Sequence, residues 1–399
     1  MRNLFKKRMI DSLVREKLTK INTVLAGTPC REHGFTSGTL GLLYYYFHAG
    51  EVLAQADLTA TAYSLLEGLF NDLNGESGGL RGSFLSDGGA GLGWVVNYLQ
   101  THGFIDFDID NEFSDLDLFL FESAQSQLMH DNTDFLHGAM GIFHYFAHRK
   151  QTPVINRYLN ELAGPILEKA VETGHGIWVR NHGLQPAKIN EVNFSLSHGL
   201  SGYLLALMGA WPALRDQEPV EQLIRRGIQF LMKYECPVDF DGQEYSFFPF
   251  RFEVDSKEIH RVNRLAWCYG DLNEVLLLYR AGRLLGDERY IHIANRIGMQ
   301  TTARRSYGAT LSQDAHFCHG SSGLARFYKS LYQETGHPVY AEAYRYWLDM
   351  TLSLVDGEIE ANNYADNLPG LLEGWAGIGL VLADHSLETG GDWAKAFLL

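Results

Sequence analysis

The stretch His137-Gly-Ala-Met-Gly-Ile-Phe-His-Tyr-Phe146 decides the fold, because its pattern returns along the whole chain. A polar residue precedes a glycine, a second glycine usually follows three positions on, and an apolar run begins. The pattern reappears as SGTLGLLYYY from Ser37, DGGAGLGWVV from Asp87, HGLSGYLLAL from His198, YGDLNEVLLL from Tyr269, HGSSGLARFY from His319 and EGWAGIGLVL from Glu373. The first glycines are Gly38, Gly88, Gly138, Gly199, Gly270, Gly320 and Gly374, and they stand 50, 50, 61, 71, 50 and 54 residues apart.

A period near 50 with one long apolar stretch after each signature predicts a repeated two-helix unit. Between signatures lie second patterns, such as DLTATAYSLLEGLFNDL from Asp57 and EPVEQLIRRGIQFLMKYE from Glu218. Their apolar residues recur at three- and four-residue spacing, which gives each helix a single buried face. The stretches after the glycines are apolar nearly all round, as fully buried helices are. An open solenoid needs polar terminal caps, yet the last signature is as apolar as the middle ones. The chain begins with an outer-type amphipathic helix and ends on an inner-type one, so the first can pair with the last. The expectation is an all-α, single-domain α/α toroid over residues 1–399, with seven inner and seven outer helices. The longer intervals mark insertions at about 174–197 and 236–262, read as ordered loops or short strands over one end of the ring. The glycines themselves suit close backbone approach in a sharp turn, and no strand or Walker lysine accompanies them to make a phosphate loop.

Composition narrows the function. With 33 basic and 48 acidic residues the net charge is −15, and no basic stripe is present, so nucleic acid is disfavoured as a partner. The N-terminal MRNLFKKRMIDSLVREKL is amphipathic and lacks the apolar core of a signal peptide. No transmembrane span is expected. Four cysteines form no disulfide framework and suit a reducing, cytoplasmic setting.

Equivalent repeats place the residue before each first glycine on one rim: Ser37, Asp87, His137, His198, Tyr269, His319 and Glu373. N-capping accounts for Ser37 and Asp87, and less well for the rest. One position further back, the fifth and sixth repeats carry Cys268 and Cys318, 50 residues apart, with His319 next to the latter. Two thiols and an imidazole on neighbouring turns match Zn2+; the bland alternative is a pair of buried cysteines. Cys30 and Cys236 lie off this register and are expected to be structural. Three protein ligands with an open position mark a catalytic zinc, and a fourth from His198 or His316 stays open. Two thiolates leave the ion a poor polariser of water and better suited to holding an incoming thiol, which points to sulfur alkylation or addition.

Several of these residues carry a family pattern. Arg264-Leu-Ala-Trp-Cys-Tyr-Gly-Asp-Leu, followed by Cys318-His-Gly, closely resembles the lanthionine synthetase C-like cyclases, as do Asn193-Phe-Ser-Leu-Ser-His-Gly and Asp134-Phe-Leu-His-Gly. The resemblance spans Gly38 to Gly379. It implies a seven-fold toroid with one zinc held by Cys268, Cys318 and His319. It further implies addition of a substrate cysteine thiolate to dehydroalanine or dehydrobutyrine, giving a lanthionine or methyllanthionine thioether ring. By similarity His198 is the acid/base residue, Asp134 works beside it, Arg264 steadies the enolate and Tyr269 adjoins the first ligand. A structural Asp134–Arg264 ion pair is the plain alternative for those two. The sequence departs from the family at Asn273, where a second glycine is usual, at Ser195 and Ser197, and at the extra rim histidine His137. Implied partners are a dehydrated precursor peptide with its leader, a separate dehydratase and an export transporter, with peripheral membrane association in such a complex. Rival functions are glutathione addition to dehydrated residues, a thiol prenyltransferase, and a non-catalytic zinc-containing peptide scaffold.

Overall fold

Helices of ten residues or more alternate between two depths along the chain. The inner set is α2 (Thr39–Leu53), α4 (Gly89–Thr101), α6 (Ala139–His148), α8 (Leu200–Ala210), α10 (Leu272–Leu285), α12 (Ser321–Thr335) and α14 (Trp375–Ser386). The outer set is α1 (Arg2–Leu25), α3 (Ala56–Asn74), α5 (Ser114–Met129), α7 (Pro153–Leu167), α9 (Glu218–Lys233), α11 (Glu288–Thr301) and α13 (Pro338–Glu360). The computed structural model describes residues 2–28, 30, 32–75, 79–182, 190–387 and 391–399. Part of the first expected insertion, 183–189, lies outside the described residues.

Burial follows the sequence pattern. In α8 every residue except Gly209 is buried, whereas α3 buries only Ala62, Leu66 and Leu69. Each inner helix touches the next around the circle, and α14 touches α2, so the ring closes. The first helix seals the joint by packing on α14 and α13, with Lys17 bonded to Asp356 at 2.8 Å. The molecule is an α/α toroid.

The turn into each inner helix explains the glycine signature. A Cβ on the second glycine would meet the carbonyl oxygen six residues earlier: Phe135 O at 2.2 Å from Gly141, and Leu196 O at 1.8 Å from Gly202. No side chain fits there. The helix N-cap is the first glycine itself in six repeats, with no side-chain cap, so Ser37 and Asp87 are not N-caps. The glycine has taken that place because the turn lets no Cβ through.

Equivalent turns are tied to one another by backbone hydrogen bonds, two residues before the first glycine. Thr36 N–H donates to Ser86 O, Ser86 to Leu136, Ser197 to Cys268, Cys268 to Cys318 and Cys318 to Leu372, at 2.8–3.3 Å. Leu371 donates to Thr36 O at 2.8 Å and completes the circuit. Among the described residues only the step from the third turn to the fourth lacks such a bond. There the Leu136 N–H turns back to Asp134 Oδ1 at 2.9 Å.

The insertions form strands, as expected, and pair across the sequence. β1 (Ala170–Thr173) and β2 (Gly176–Val179) make a hairpin. β3 (Glu191–Asn193) pairs antiparallel with β4 (Arg251–Glu253), which pairs with β5 (Ile259–His260), joining the two insertions in one sheet. A final 3-10 segment, Asp392–Phe397, enters the middle of the ring. Phe397 lies 5.7 Å from Phe35, 5.5 Å from Trp267 and 5.2 Å from Phe317, ring centre to ring centre. These three rings belong to the first, fifth and sixth turns, so the tail forms a floor beneath the rim.

Candidate metal centre and acid–base pair

Cys268 is held by the turn circuit on both sides: its N–H donates to Cys318 O, and its carbonyl accepts from Leu196 and Ser197. Two unusual residues brace the fifth turn. Gly270 stands at φ +120°, where a Cβ would strike Arg264 O at 2.3 Å. Asn273, in place of the second glycine, donates to Trp267 O at 3.0 Å and accepts from Leu196 N–H at 2.9 Å. The Asn273 departure is therefore a brace between the fourth and fifth repeats. Below it, the buried Asp271 carboxylate accepts from the Phe247 and Phe248 N–H groups at 2.9 and 3.0 Å and pairs with buried Arg304. This anchors the second insertion beside the turn.

The consequence is a cluster in which one ligand atom from each of Cys268, Cys318 and His319 lies within 4.8 Å of the others. The Cys268 thiol is drawn down to about 6, first by the hydrogen bond from Cys318, then, against burial, by the charges of His319 and Arg264. The Cys318 thiol, as donor of that pair, is pushed up. Two cysteine sulfurs, one readily ionised, and one imidazole make a donor set that fits a borderline-soft divalent ion. His316 does not join them: its Nδ1 accepts from the His319 N–H at 3.4 Å and its Nε2 faces Asp314 at 3.3 Å. Burial and the His319 charge push His316 down to about 3.

Arg264 stands next to this cluster, its guanidinium 5.3 Å from the centre of the Tyr269 ring, with Nε buried and without a hydrogen bond among the described residues. It makes no ion pair with Asp134, whose ion-pair partners are His137 and His198, so the plain alternative of a structural Asp134–Arg264 pair does not hold. The two come from the fifth and third repeats, and the fourth repeat stands between them.

Asp134 instead meets His198. Its Oδ2 accepts from His198 Nδ1 at 2.8 Å and from Asn181 Nδ2 at 3.2 Å; its Oδ1 accepts the N–H groups of Leu136 and His137 at 2.9 and 2.8 Å. Burial works to raise the Asp134 carboxyl, but the bonds from His137 and His198 outweigh it and hold it well below the usual carboxylate range. His198 shows the converse: burial works downward, and the Asp134 bond and charge win, leaving the imidazole raised. The His198 turn is fixed by the serines that depart from the family pattern. Ser195 Oγ accepts the His198 N–H at 3.0 Å, and Ser197 Oγ bonds to Cys268 O at 3.3 Å. With Nδ1 engaged, His198 Nε2 makes no hydrogen bond among the described residues, and 27% of the side chain is exposed.

Asn181 is the residue that sequence reasoning missed. It bonds both Asp134 and the His198 carbonyl, the latter at 2.9 Å. It lies in an insertion, outside the repeat register, so no periodicity marks it. Cys30 and Cys236 are free thiols outside the three-residue cluster.

The model of the lanthionine synthetase C-like protein family matches residues 31–398. Among solved structures, nisin cyclase superposes with a TM-score of 0.76 at 16% identity, over 100% of this chain and 98% of that one. The GH76A α-1,6-mannanase from Salegentibacter sp. HEL1_6 gives a TM-score of only 0.44 at 11% identity, over 94% of this chain and 98% of that one, and has no bearing on the site. No curated protein sequence matches the chain. A match across residues 31–398 takes in every inner helix and every turn of the ring, and the chain belongs to the lanthionine synthetase C-like family.

Proposed function

We propose that the chain is a zinc-dependent lanthipeptide cyclase, joining a cysteine sulfur of a dehydrated precursor peptide to the β-carbon of dehydroalanine or dehydrobutyrine. One observation carries this reading. Two thiols and an imidazole from consecutive turns converge within 4.8 Å, on the same rim as a buried carboxylate–imidazole pair and an arginine that makes no ion pair among the described residues. Cys268, Cys318 and His319 would hold one Zn2+, which supplies, when bound, a place where a thiol loses its proton and stays nucleophilic.

The residues of the chain supply the rest. His198 Nε2 accepts the proton as the S–H bond breaks. The S–C bond forms at the β-carbon, and the π electrons pass through the α-carbon to the carbonyl oxygen as an enolate. Arg264, which makes no ion pair among the described residues, stabilises that oxygen. The α-carbon then takes a proton from the His198 imidazolium, and the thioether leaves with atoms and charge balanced. Asp134 fixes the His198 tautomer and favours its cation. Tyr269 walls the site beside Arg264. On this reading a separate dehydratase prepares the substrate, the leader peptide docks outside the rim, and an exporter takes the product.

The test is mass spectrometry of a dehydrated, cysteine-containing peptide after incubation, with thiol alkylation to count free cysteines. The expected result is loss of alkylation with no change in peptide mass, one zinc per chain, and loss of both in C318S. H198N is expected to slow cyclisation about 100-fold or more with zinc retained. Alkylation at every cysteine despite stoichiometric zinc would sink the proposal.

A further inference from the structure

Among the described residues the circuit of turn-to-turn backbone bonds is interrupted once, between the third and fourth repeats, and the Asn181 amide spans that gap. Its Nδ2 donates to Asp134 Oδ2, in the third repeat, at 3.2 Å, and to the His198 carbonyl, in the fourth, at 2.9 Å. A carboxylate and a carbonyl can only accept, so the NH2 end of the amide faces them and both of its protons are used. We propose that Asn181 is a positioning residue for the acid–base pair: it takes the place of the missing backbone bond and holds Asp134 and His198 at the spacing that proton transfer needs.

This inference rests on the cyclase reading for the chemistry that is positioned, and on geometry alone for the bridge. Asp134 is fully buried, and a carboxylate offers about four lone-pair positions. The N–H groups of Leu136 and His137, His198 Nδ1 and Asn181 Nδ2 fill them. Three of these donors belong to rim turns; Asn181 comes from the first insertion. Without it one lone pair of a buried carboxylate goes unmet, which is costly, and the carboxylate turns to recover a donor. The His198 ring, bonded to the same Oδ2, turns with it, while the fourth turn loses the bond on its carbonyl. Proton transfer at His198 Nε2 depends on where that ring points, and small displacements of a catalytic group cost rate steeply.

The insertion is built to deliver this amide. β2 buries Gly176, Trp178 and Val179 and packs on α9. Gly176 stands at φ +130°, where a Cβ would strike Arg226 O at 2.4 Å, so the hairpin lies flat against that helix. Beyond β2 the chain is stitched to the loop that leads into Asp134. Arg180 N–H donates to Lys169 O at 3.2 Å, Thr133 Oγ1–H to Arg180 O at 2.7 Å, and His182 N–H to Asp131 O at 2.9 Å. Lys169 Nζ bonds Asp131 Oδ1 at 2.9 Å and closes the seam. Asn181 sits between these bonds, so its backbone is fixed before its side chain enters the gap. The seam holds the hairpin by itself; an amide directed at both partners of the pair serves the pair.

The experiment compares N181A and N181D with the wild type, all zinc-loaded. N181D keeps the shape of the side chain and sets an acceptor against two acceptors. Hydrogen exchange of the Leu136 and His137 amides, which donate to Asp134 Oδ1, is expected to quicken about tenfold in both variants, with the first and sixth turns unchanged. In cyclisation, kcat is expected to fall about tenfold in N181A and further in N181D, with KM within about twofold and zinc content unaltered. A residue that only supports the hairpin would lower the unfolding midpoint, leave kcat of the folded enzyme intact and tolerate N181D. That result overturns the proposal, and so does wild-type exchange in both variants. The exchange arm needs no turnover. Quickened exchange in the variants of a chain that cyclises nothing defeats the cyclase reading and supports the bridge, whereas an active wild type with variants of equal kcat defeats the bridge and leaves the cyclase.

Discussion

At the scale of single residues, Asp134 is the point where stability and site geometry meet. Its folded carboxyl lies below the ordinary range, so its contribution is present above the unfolded carboxylate pKa and is lost as pH falls through the folded value. His198 is raised, so its contribution is complete below the ordinary imidazole pKa and fades as pH rises through the raised value. The pair therefore stabilises most in the window between carboxylate and imidazole titration. D134N is expected to lose about 2 kcal/mol in mildly acidic buffer, the typical worth of a charge-assisted hydrogen bond. The deficit should shrink as pH rises past the His198 titration, read by urea unfolding at several pH values; a pH-independent deficit would contradict the coupling. The sequence made the Cys268, Cys318 and His319 register readable because repeats convert spacing into proximity. It left open what His137 does, and only the resemblance, not the spacing, put Asp134 beside His198 and not Arg264, because side-chain pairing across a rim depends on rotamers that no period records.

At the scale of elements, the inner helices were legible because their apolar character follows directly from position in the ring. Their turns were legible too, since only a missing side chain satisfies a carbonyl 1.8 Å from a would-be Cβ, as at Gly202 and Gly323. G202A is expected to destabilise the chain by about 3 kcal/mol, at the upper end of over-packing costs because the obstacle is backbone. Thermal unfolding followed by circular dichroism measures it. The same substitution at Gly164, where a Cβ would meet nothing within 4 Å, should be neutral or mildly stabilising and serves as control. The sheet that joins the two insertions was not legible. β3 and β4 lie far apart in sequence, and each is too short to carry an alternation signal of its own. The N-cap assignment of Ser37 and Asp87 failed for a related reason: a capping side chain improves a helix start, but the turn geometry here leaves glycine alone in the cap.

At the scale of the whole molecule, closure leaves a hole that must be filled. The sequence implied the closure, through an outer-type helix at one end and an inner-type helix at the other. It did not reveal the filler, since WAKAF reads as an unremarkable short tail. Phe397 is 1% exposed, and its carbonyl accepts the buried Trp267 Nε1–H at 2.9 Å. Trp267 directly precedes Cys268, and Phe317 directly precedes Cys318, so one aromatic ring supports the floor under both proposed zinc ligands. F397A is expected to cost about 3–5 kcal/mol, as large-to-small changes in a filled core do. The loss should not be confined to stability, because the vacated floor lets the fifth and sixth turns shift relative to each other. Zinc affinity should therefore weaken by about 10-fold or more, the range seen when groups supporting metal ligands are removed. Competition with a chromogenic chelator, performed well below the unfolding midpoint of the variant, separates this effect from global unfolding. Wild-type affinity in a folded, destabilised F397A would show that the turn circuit alone fixes the two thiols, and that the tail fills the ring without aligning its rim.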